Sequence, residues 1–515
     1  YTTLFRSKEG YRMTSNKVQE GTQHPGTSPP KKTGKKNGKR SLMWFLVAVV
    51  AALLTLLIAP ATGLEPTGQK SLATFVFILI IWITEAVPYP VSTFFLLGLM
   101  TWAGLSPDVN LKSSLKSALS GFSGTVPITC ITGTALAVVV KRTGLSERMV
   151  YFLMRILGGA RASAKRVLGA LFMVDVPMAF LVPSATGRCA LYLSIVEGLD
   201  TPFKFKPLDS GEEPNPFQKA AYMAAAIVPV IMGAAFLTAA EATLLSGRLI
   251  EEATGITQTW AGTFVILFIP AIIMMAITWF ILVRMFPSSV ETVSISFIQD
   301  RLQAMGPMSR DEKFVLTVLL AAILLWVTDG IHGIPAEIVL IMAAAVLFIP
   351  GFGPGNWKQD YKSIAWGSFM VIAVATSFST QLTNHGVLQM FADWLGTLGA
   401  KGFLAIMLVM VITTVVLRLG MASITAAATL FIPLALTLGA SSGLVPAELV
   451  GLGWIVYVFC RAGYLLPQQT AQVMMVYDFN MFGRRDLLKA GGLITLATLV
   501  VQGLWFWLVV PKILM

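Results

Sequence analysis

The chain has 515 residues, of which 55% are hydrophobic and only 12% are charged, and its net charge is +12. Soluble domains carry about 25% charged residues, whereas this chain has at least ten segments that approach the roughly 20 apolar residues needed to cross a bilayer. The composition therefore predicts an all-α polytopic membrane protein. It excludes a soluble enzyme or a soluble nucleic-acid-binding protein.

Most of the net charge lies in an N-terminal tail. Residues 1–41 contain ten basic and two acidic residues, which accounts for eight of the twelve net positive charges. A tail rich in Pro, Gly, Ser and Lys cannot bury a core, so we expect it to be disordered, and the positive-inside rule places it in the cytoplasm. A nucleic-acid-binding arm is the less favoured alternative. Met13 is expected to be the natural start, with residues 1–12 extraneous to the protein.

The apolar segments predict about eleven transmembrane helices and two re-entrant hairpins. Two long segments, 164–199 and 403–438, contain polar interruptions and are predicted to be the hairpins. Two others, 217–247 and 452–476, are predicted to be broken helices. The first span is predicted at 42–63, and further simple spans at 71–87, 90–105, 120–140, 260–283, 314–327 and 487–510.

The second half of the chain repeats features of the first. Trp82 and Trp326 stand in matching Trp-x-Thr-acid segments 244 residues apart, and Ser184 and Ser423 are 239 residues apart. A near-constant offset indicates internal duplication. We therefore predict three parts after the first span, which are a first repeat at 64–285, a cytoplasmic linker at 286–312 and a second repeat at 313–515.

Loop charges decide the predicted orientation of the repeats. The connection 141–166 contains seven basic residues and one acidic residue, so it is predicted to be cytoplasmic. The hairpin at 164–199 then enters from the cytoplasmic side, and the hairpin at 403–438 enters from outside. Five spans per repeat invert the second repeat relative to the first, which is typical of secondary transporters with a binding site at the bilayer midplane.

Small polar residues break both hairpins at corresponding places, with Ser184 and Thr186 in the first and Ser423 and Thr425 in the second. A bilayer offers no water to free backbone groups, so such breaks occur inside protein or beside a polar cavity. Paired breaks indicate a central binding site. These four hydroxyls can hydrogen-bond a carboxylate or ligate a cation. The alternative is that they bond their own backbone in kinked helices.

The second broken helix is interrupted by Pro467 and by a run of polar residues that extends to Gln472. Amide side chains at membrane depth require partners. We predict that Gln468, Gln469 and Thr470 contact substrate. The alternative is that the glutamines hold neighbouring helices together.

Three ionisable residues stand out at apparent membrane depth, and they are Arg188, Glu241 and Arg461. A guanidinium group can bind carboxylate or sulfonate oxygens with two hydrogen bonds, so both arginines are predicted to bind substrate. Glu241, together with Thr238 in the same broken helix, is predicted to couple transport to an ion or a proton. Structural ion pairing is the competing interpretation for all three ionisable residues.

Other candidate residues are predicted to be structural. Glu85 and Asp329 occupy equivalent positions in the two repeats, and we favour a role in holding the fold near span ends. The three cysteines have no metal or redox spacing, and no clustered His, Cys or carboxylate site is evident. We therefore predict no cofactor and no enzymatic activity.

The motifs together resemble the divalent anion:sodium symporter (DASS) family over about residues 42–515. The resemblance lies in Ile83-Thr84-Glu85-Ala86-Val87-Pro88, in the two Ser-x-Thr hairpin tips, in the Pro467–Thr470 loop and in Asp486-Leu487-Leu488-Lys489-Ala490-Gly491. It implies a homodimer in which a transport domain moves against a scaffold domain as an elevator. It also implies substrates such as dicarboxylates, tricarboxylates or sulfate, carried by sodium symport or by anion exchange.

The chain departs from the family pattern at positions that matter for coupling. Both motif asparagines are replaced, by Ala185 and Ile424, and the first broken loop carries Glu241 in place of the usual Gly-Thr-Pro-Pro-Asn pattern. In the family, those amides help to hold sodium and substrate. We hypothesise that sodium coupling is weak or absent and that Arg188 and Arg461 supply the missing positive charge. The alternative is a sodium ion bound near Ser184 and Ser423.

The sequence therefore predicts a secondary active transporter of divalent organic anions in the inner membrane of a bacterium, with exchange of one anion for another as the hypothesised coupling. The alternative is a sodium- or proton-coupled symporter of sulfonates or of inorganic anions such as sulfate. A channel-like anion conductor is a further alternative. The expected partners are the small anion, the lipid bilayer and a second copy of the chain.

Overall fold

The computed structural model describes residues 36–159, 161–211, 215–288, 293–397, 399, 401–421 and 423–514. These residues are almost entirely helical, which confirms the predicted all-α class. The strands β1 (Arg161–Ala162) and β2 (Val293–Ser294) form one short antiparallel pair. The helices are α1 (Lys36–Ile58), α2 (Pro66–Thr84), α3 (Tyr89–Ala103), α4 (Leu111–Ala118), α5 (Thr125–Arg142), α6 (Leu145–Gly158), α7 (Ala164–Leu181), α8 (Ala185–Gly198), α9 (Asp200–Phe203), α10 (Pro216–Met232), α11 (Glu241–Thr254), α12 (Trp260–Met285), α13 (Ser296–Ala304), α14 (Arg310–Val327), α15 (Asp329–His332), α16 (Ala336–Leu347), α17 (Trp357–Asp360), α18 (Trp366–Asn384), α19 (Val387–Gly396), α20 (Gly402–Arg418), α21 (Ile424–Ser441), α22 (Pro446–Arg461), α23 (Ala471–Tyr477), α24 (Arg484–Leu508) and α25 (Val510–Leu514).

Several helices are long and apolar enough to cross a membrane. Within the described residues there are six of them, or seven if the pair α17 and α18, bent by 59°, counts as one span. Four shorter apolar helices, α3, α10, α16 and α20, accompany them. The prediction of a polytopic membrane protein is confirmed, and the count of eleven spans stays a prediction.

Each of the four interrupted segments is a pair of helices that meet at a break. The pairs are α7 and α8, α10 and α11, α20 and α21, and α22 and α23. Side chains explain three of the breaks, because Ser184, Ser423 and Thr470 each accept a hydrogen bond from a backbone N–H in the first turn of the following helix. Such N-caps favour a new helix start over continuation of the old helix.

The helices α10 and α22 form the centre of the molecule. Nearly every side chain of both helices is buried. Helix α10 packs against α7, α8, α12 and α23, whereas α22 packs against α11, α20, α21 and α24. The ends of α10 and α22 are therefore surrounded by the other interrupted helices, and this arrangement brings the four breaks together.

The structure differs from the sequence predictions at three boundaries. Helix α1 begins at Lys36, so the last six residues of the predicted disordered tail are helical, while residues 1–35 lie outside the described part of the chain. The predicted linker contains β2 and α13, with residues 289–292 outside the described part. The breaks in the two broken helices start earlier than their polar runs predict, because α10 ends at Met232 and α22 ends at Arg461.

Candidate functional site

An open cavity of about 500 Å³ lies where the four breaks meet. The first residues of α8, α11, α21 and α23 all contribute to its wall, together with the starts of α3 and α18. The wall thus combines elements from both halves of the chain. The lining residues are Glu85, Tyr89, Pro90, Ala185, Thr186, Ala240, Glu241, Ala242, Ala365, Gly367, Ser368, Val371, Ser423, Ile424, Thr425, Arg461, Ala471, Gln472 and Met474.

The helix ends give the cavity an anion-favouring wall. Backbone N–H groups in the first turn of a helix have no partner within the helix, and the helix dipole places partial positive charge there. Helices α8, α11 and α21 all begin at the cavity. Helix α11 has no side-chain cap at Ala240, so its first N–H groups are the most available for a bound anion.

The first tip and the second broken helix are joined by one hydrogen bond. The Gln472 side-chain N–H donates to Thr186 Oγ1 at 2.9 Å. Gln472 is only 5% exposed, and its Oε1 has no hydrogen-bond partner among the described residues. Because Gln472 lines the cavity, this oxygen is placed to accept a hydrogen bond from a ligand hydroxyl or from water.

Arg461 reaches the cavity from the last residue of α22. Its Nε donates to the Val230 carbonyl at 3.0 Å, and its Nη1 donates to the Tyr457 hydroxyl at 3.2 Å. Arg461 is only 2% exposed, and its Nη2 has no partner among the described residues. A methyl group at Gly233 would overlap the guanidinium, so glycine is required there. Arg461 is therefore held in place with one donor unused.

Two carboxylates also line the cavity, and they are Glu85 and Glu241. Neither carboxylate has a hydrogen-bond or ion-pair partner among the described residues. Glu85 has a left-handed backbone with φ of 50°, which is uncommon for a residue other than glycine. Asp329, its repeat counterpart, accepts a hydrogen bond from the Trp260 backbone N–H at 2.5 Å. The fold-holding role expected for both acids thus fits Asp329, whereas Glu85 lies on the cavity.

Arg188 lies away from the cavity, contrary to the expectation that it contacts substrate. It is fully buried and forms an ion pair with Asp175 at 2.9 Å. Its other donors contact the carbonyls of Val182, Pro229 and Ala239. Each nitrogen of the guanidinium thus has a partner inside the protein, and the contacts tie the first tip to the first broken helix.

Five other predicted residues do not line the cavity. The hydroxyl oxygens of Ser184 and Thr470 cap helices, and Thr238 accepts a hydrogen bond from the Trp260 indole at 3.0 Å. The side chain of Gln468 is exposed on the surface of the protein, outside the cavity wall. Gln469 is buried, and its Oε1 accepts hydrogen bonds from two backbone N–H groups of the preceding loop, each at 2.8 Å. The hydroxyl groups of Ser184 and Thr470 therefore bond the backbone of their own helices, which was the alternative to substrate contact.

Arg418, the last residue of α20, was missed by the sequence analysis. It is 1% exposed, and its Nε donates to the Cys460 carbonyl at 2.6 Å. Its Nη1 and Nη2 have no partner among the described residues. The available signal was an arginine inside an apolar segment, five residues before Ser423.

Several carbonyls at the breaks that could ligate a sodium ion already have guanidinium donors. Carbonyl oxygens at helix C-termini are the natural ligands for a cation in such breaks. Here four of those carbonyls already accept hydrogen bonds from guanidinium groups. Arg188 donates to the carbonyls of Val182 and Pro229. Arg461 donates to the Val230 carbonyl, and Arg418 donates to the Cys460 carbonyl. The tip positions 185 and 424 carry Ala and Ile, which provide no side-chain oxygen.

Comparisons with known proteins agree with this architecture. A protein-family model described as the sodium:sulfate symporter transmembrane region matches residues 40–513. A protein of Cupriavidus necator named only as a membrane protein is 27% identical and covers 91% of this chain and 94% of its own length. The L-tartrate/succinate antiporter of Escherichia coli is 24% identical over 90% of this chain and 97% of its own length.

Two further similarities extend the comparison. A putative malate transporter of Bacillus subtilis is 24% identical over 70% of this chain and 74% of its own length. Among solved structures, MtrF of Neisseria gonorrhoeae, described as one of a class of antimetabolite efflux pumps, aligns with a TM-score of 0.52 at 12% identity. That alignment covers 82% of this chain and 94% of MtrF, and it indicates a shared fold.

Proposed function

Because this chain belongs to the family of the sodium:sulfate symporter transmembrane region, we propose that it exchanges divalent organic anions across a membrane. Di- or tricarboxylates are the proposed substrates, and the cavity at the four breaks is the proposed binding site. The names of the E. coli and B. subtilis relatives, a tartrate/succinate antiporter and a putative malate transporter, support this substrate class.

The observation that carries the proposal is the convergence of helix N-termini and one guanidinium on a single cavity. The starts of α8, α11 and α21 favour negative charge, and Arg461 offers an unused donor. Thr186 and Thr425 add hydroxyl groups on opposite halves of the wall. A substrate with two separated carboxylates uses both kinds of group at once, which a monovalent anion cannot do.

Exchange without sodium is the proposed coupling. Support comes from the carbonyl groups already used by guanidinium donors and from the alanine and isoleucine at the tips. An exchanger needs no coupling ion, since the second anion completes the cycle.

The remaining features of the proposal follow from the family resemblance and from charge. The two hairpins and the broken helices form the moving transport domain of an elevator, and two copies associate through the remaining helices. The basic tail and the basic connection 141–166 support a cytoplasmic N-terminus in a bacterial inner membrane.

Uptake of labelled succinate into proteoliposomes tests this function. Vesicles preloaded with unlabelled succinate are compared with empty vesicles, with and without a sodium gradient. Exchange predicts uptake only into preloaded vesicles, at the same rate with or without sodium. Uptake into empty vesicles driven by sodium would contradict it. Competition by unlabelled sulfate, tartrate and citrate then distinguishes carboxylate from sulfate as the preferred substrate.

A further inference from the structure

We infer that the ion pair between Arg248 and Glu337 is a latch, which holds α11 in its present position at the cavity and breaks each time the transport domain moves. The inference rests on the proposed function in one respect, which is the division of the helices into moving and static ones. The structural observations are the position of the pair, the burial of its carboxylate and the lack of matching charges in the other repeat.

The pair joins a helix of the cavity wall to a helix outside the proposed transport domain. Arg248 lies on α11, and its Nε donates to Glu337 Oε1 at 2.6 Å. Helix α11 starts at the cavity and packs mainly against α21 and α22, which belong to the second hairpin and the second broken helix. Glu337 lies in the first turn of α16, which packs against α5 and α14. The contact therefore crosses the boundary between the helices proposed to move and the helices proposed to stay.

The carboxylate of the pair is buried, whereas its arginine has a second partner. Glu337 is only 5% exposed, and Arg248 is half-buried. Arg248 Nη1 also donates to Glu251 Oε2 at 3.1 Å, within the same helix. If α11 moved away from α16, Arg248 would keep Glu251, but Glu337 would lose its cation. A buried carboxylate without a cation is costly, so the pair stabilises the present arrangement of the two helices.

A second contact lies close to the pair in the chain. Asp329, eight residues before Glu337, accepts a hydrogen bond from the Trp260 backbone N–H at 2.5 Å. Trp260 is the first residue of α12, and α12 packs against α10 of the first broken helix. The segment 329–337 therefore contacts both α11 and α12, on either side of the loop that connects them.

The first half of the chain lacks the matching charges. Helix α3 corresponds to α16 in the repeat, and its sequence contains no acidic residue. Helix α23 corresponds to α11, and its sequence contains no basic residue. Glu85, the counterpart of Asp329, has no partner among the described residues. Alternating access moves one inverted repeat against the other, so a contact that only one repeat can form stabilises only one of the two end states. The latch thus favours the state seen here.

Distances between two spin labels test the latch in the purified full-length chain. The labels are attached at Ser194→Cys on α8, in the proposed transport domain, and at Lys112→Cys on α4, outside it. Both positions are exposed, whereas the native cysteines are buried. We expect one main distance without further substitution. In Glu337→Gln and in Arg248→Gln, we expect the ratio of a second distance to the main one to rise about fivefold or more. The double variant is expected to shift the ratio no further, because both substitutions remove the same contact.

Asp360→Asn is the matched control. Asp360 is buried and pairs with Arg142 at 2.8 Å, but this pair joins α5 to α17, and neither helix belongs to the proposed transport domain. We expect it to leave the distances unchanged. Equal distance ratios with and without Glu337→Gln would overturn the inference, as would an equal shift in Asp360→Asn. Failure of the proposed function is distinct, because the wild type would then exchange no dicarboxylate in proteoliposomes while the effect of the latch on the distances persisted.

Discussion

Arg188 and Asp175 form an ion pair at 2.9 Å with both side chains fully buried. The Tyr192 hydroxyl donates to the same carboxylate oxygen at 2.7 Å. This pair joins the two arms of the first interrupted segment, since Asp175 lies on α7 and Arg188 on α8. Its contacts explain why an arginine near the tip of a predicted binding site does not reach the cavity.

Loss of Asp175 is expected to destabilise the protein more than loss of the whole pair. Removal of one partner from a buried pair leaves an uncompensated charge and costs about 3–5 kcal/mol. We therefore expect Asp175→Ala to lower the melting temperature strongly, and Asp175→Leu with Arg188→Leu to lower it less. Asp209→Asn, at an exposed position, is the control. A double variant less stable than Asp175→Ala would contradict this account.

Gly233→Ala is expected to impair substrate binding through Arg461. The added methyl group overlaps the guanidinium and must displace it from the Val230 carbonyl. Loss of one charge-assisted hydrogen bond to substrate corresponds to about a tenfold rise in KM. Gly503→Ala on α24, where a methyl group meets nothing within 4 Å, is the matched control. Equal KM values for the two variants in the exchange assay would show that Arg461 does not contact the substrate.

Gln472→Ala is expected to raise the KM for hydroxylated dicarboxylates more than for succinate. The unpartnered Gln472 Oε1 faces the cavity, and a substrate hydroxyl can donate to it. A neutral hydrogen bond is worth about 1 kcal/mol, which is about fivefold in affinity. Competition of malate and tartrate against labelled succinate measures the difference, with Gln389→Ala on α19 as control. An equal change for succinate would assign Gln472 a purely structural role.

Glu241→Gln is expected to strengthen the binding of divalent anions. The Glu241 carboxylate lines the same cavity without a partner among the described residues, so it repels a bound dianion. Removal of a like-charge interaction of about 1 kcal/mol lowers KM about fivefold. Glu252→Gln, an exposed acid on the same helix, is the control. A higher KM in Glu241→Gln would indicate that this acid binds a cation or a proton together with the substrate.

Asp200 is expected to make the stability of the folded protein depend on pH. It lies in the short helix α9, outside the apolar helices, and burial raises its pKa from 3.8 to about 6, although the Tyr222 hydroxyl donates to it at 3.2 Å. The folded state then binds the proton more tightly than the unfolded state, so stability falls as pH rises from about 4 to about 6. Asp200→Asn is expected to make the melting temperature depend less on pH across this range than it does in the wild type. An unchanged pH profile would contradict this assignment.

The four breaks and the candidate site where they meet could be predicted from the sequence, because three of the breaks have a local cause in a capping side chain. Small hydroxyl residues and prolines interrupt apolar runs, and they start new helices in either half of the chain. Thr186, Glu241, Ser423, Thr425 and Arg461 all lie on one cavity. This grouping could be predicted from two things, which are the repeat pattern of the sequence and the rule that free backbone groups are avoided in a bilayer.

The roles of the buried charges could not be predicted in the same way. The partner of Arg188 is Asp175, one helix away, and Arg418 Nε donates to the Cys460 carbonyl, 42 residues along the chain. Both contacts depend on how α7, α20 and α22 pack. Glu85 and Asp329 share a motif but differ in role, since only Asp329 meets a free helix start. Tertiary packing, which the motif does not encode, decides between the two.

Equilibrium binding of labelled succinate to the purified protein in sodium-free buffer shows whether the cavity binds a dianion through helix N-termini and Arg461 without a sodium ion. We expect saturable binding by the wild type and by Arg155→Gln, unchanged by added sodium, and at least about tenfold weaker binding by Arg461→Gln. Binding that appears only with sodium, or equal affinity in Arg461→Gln, would contradict the account.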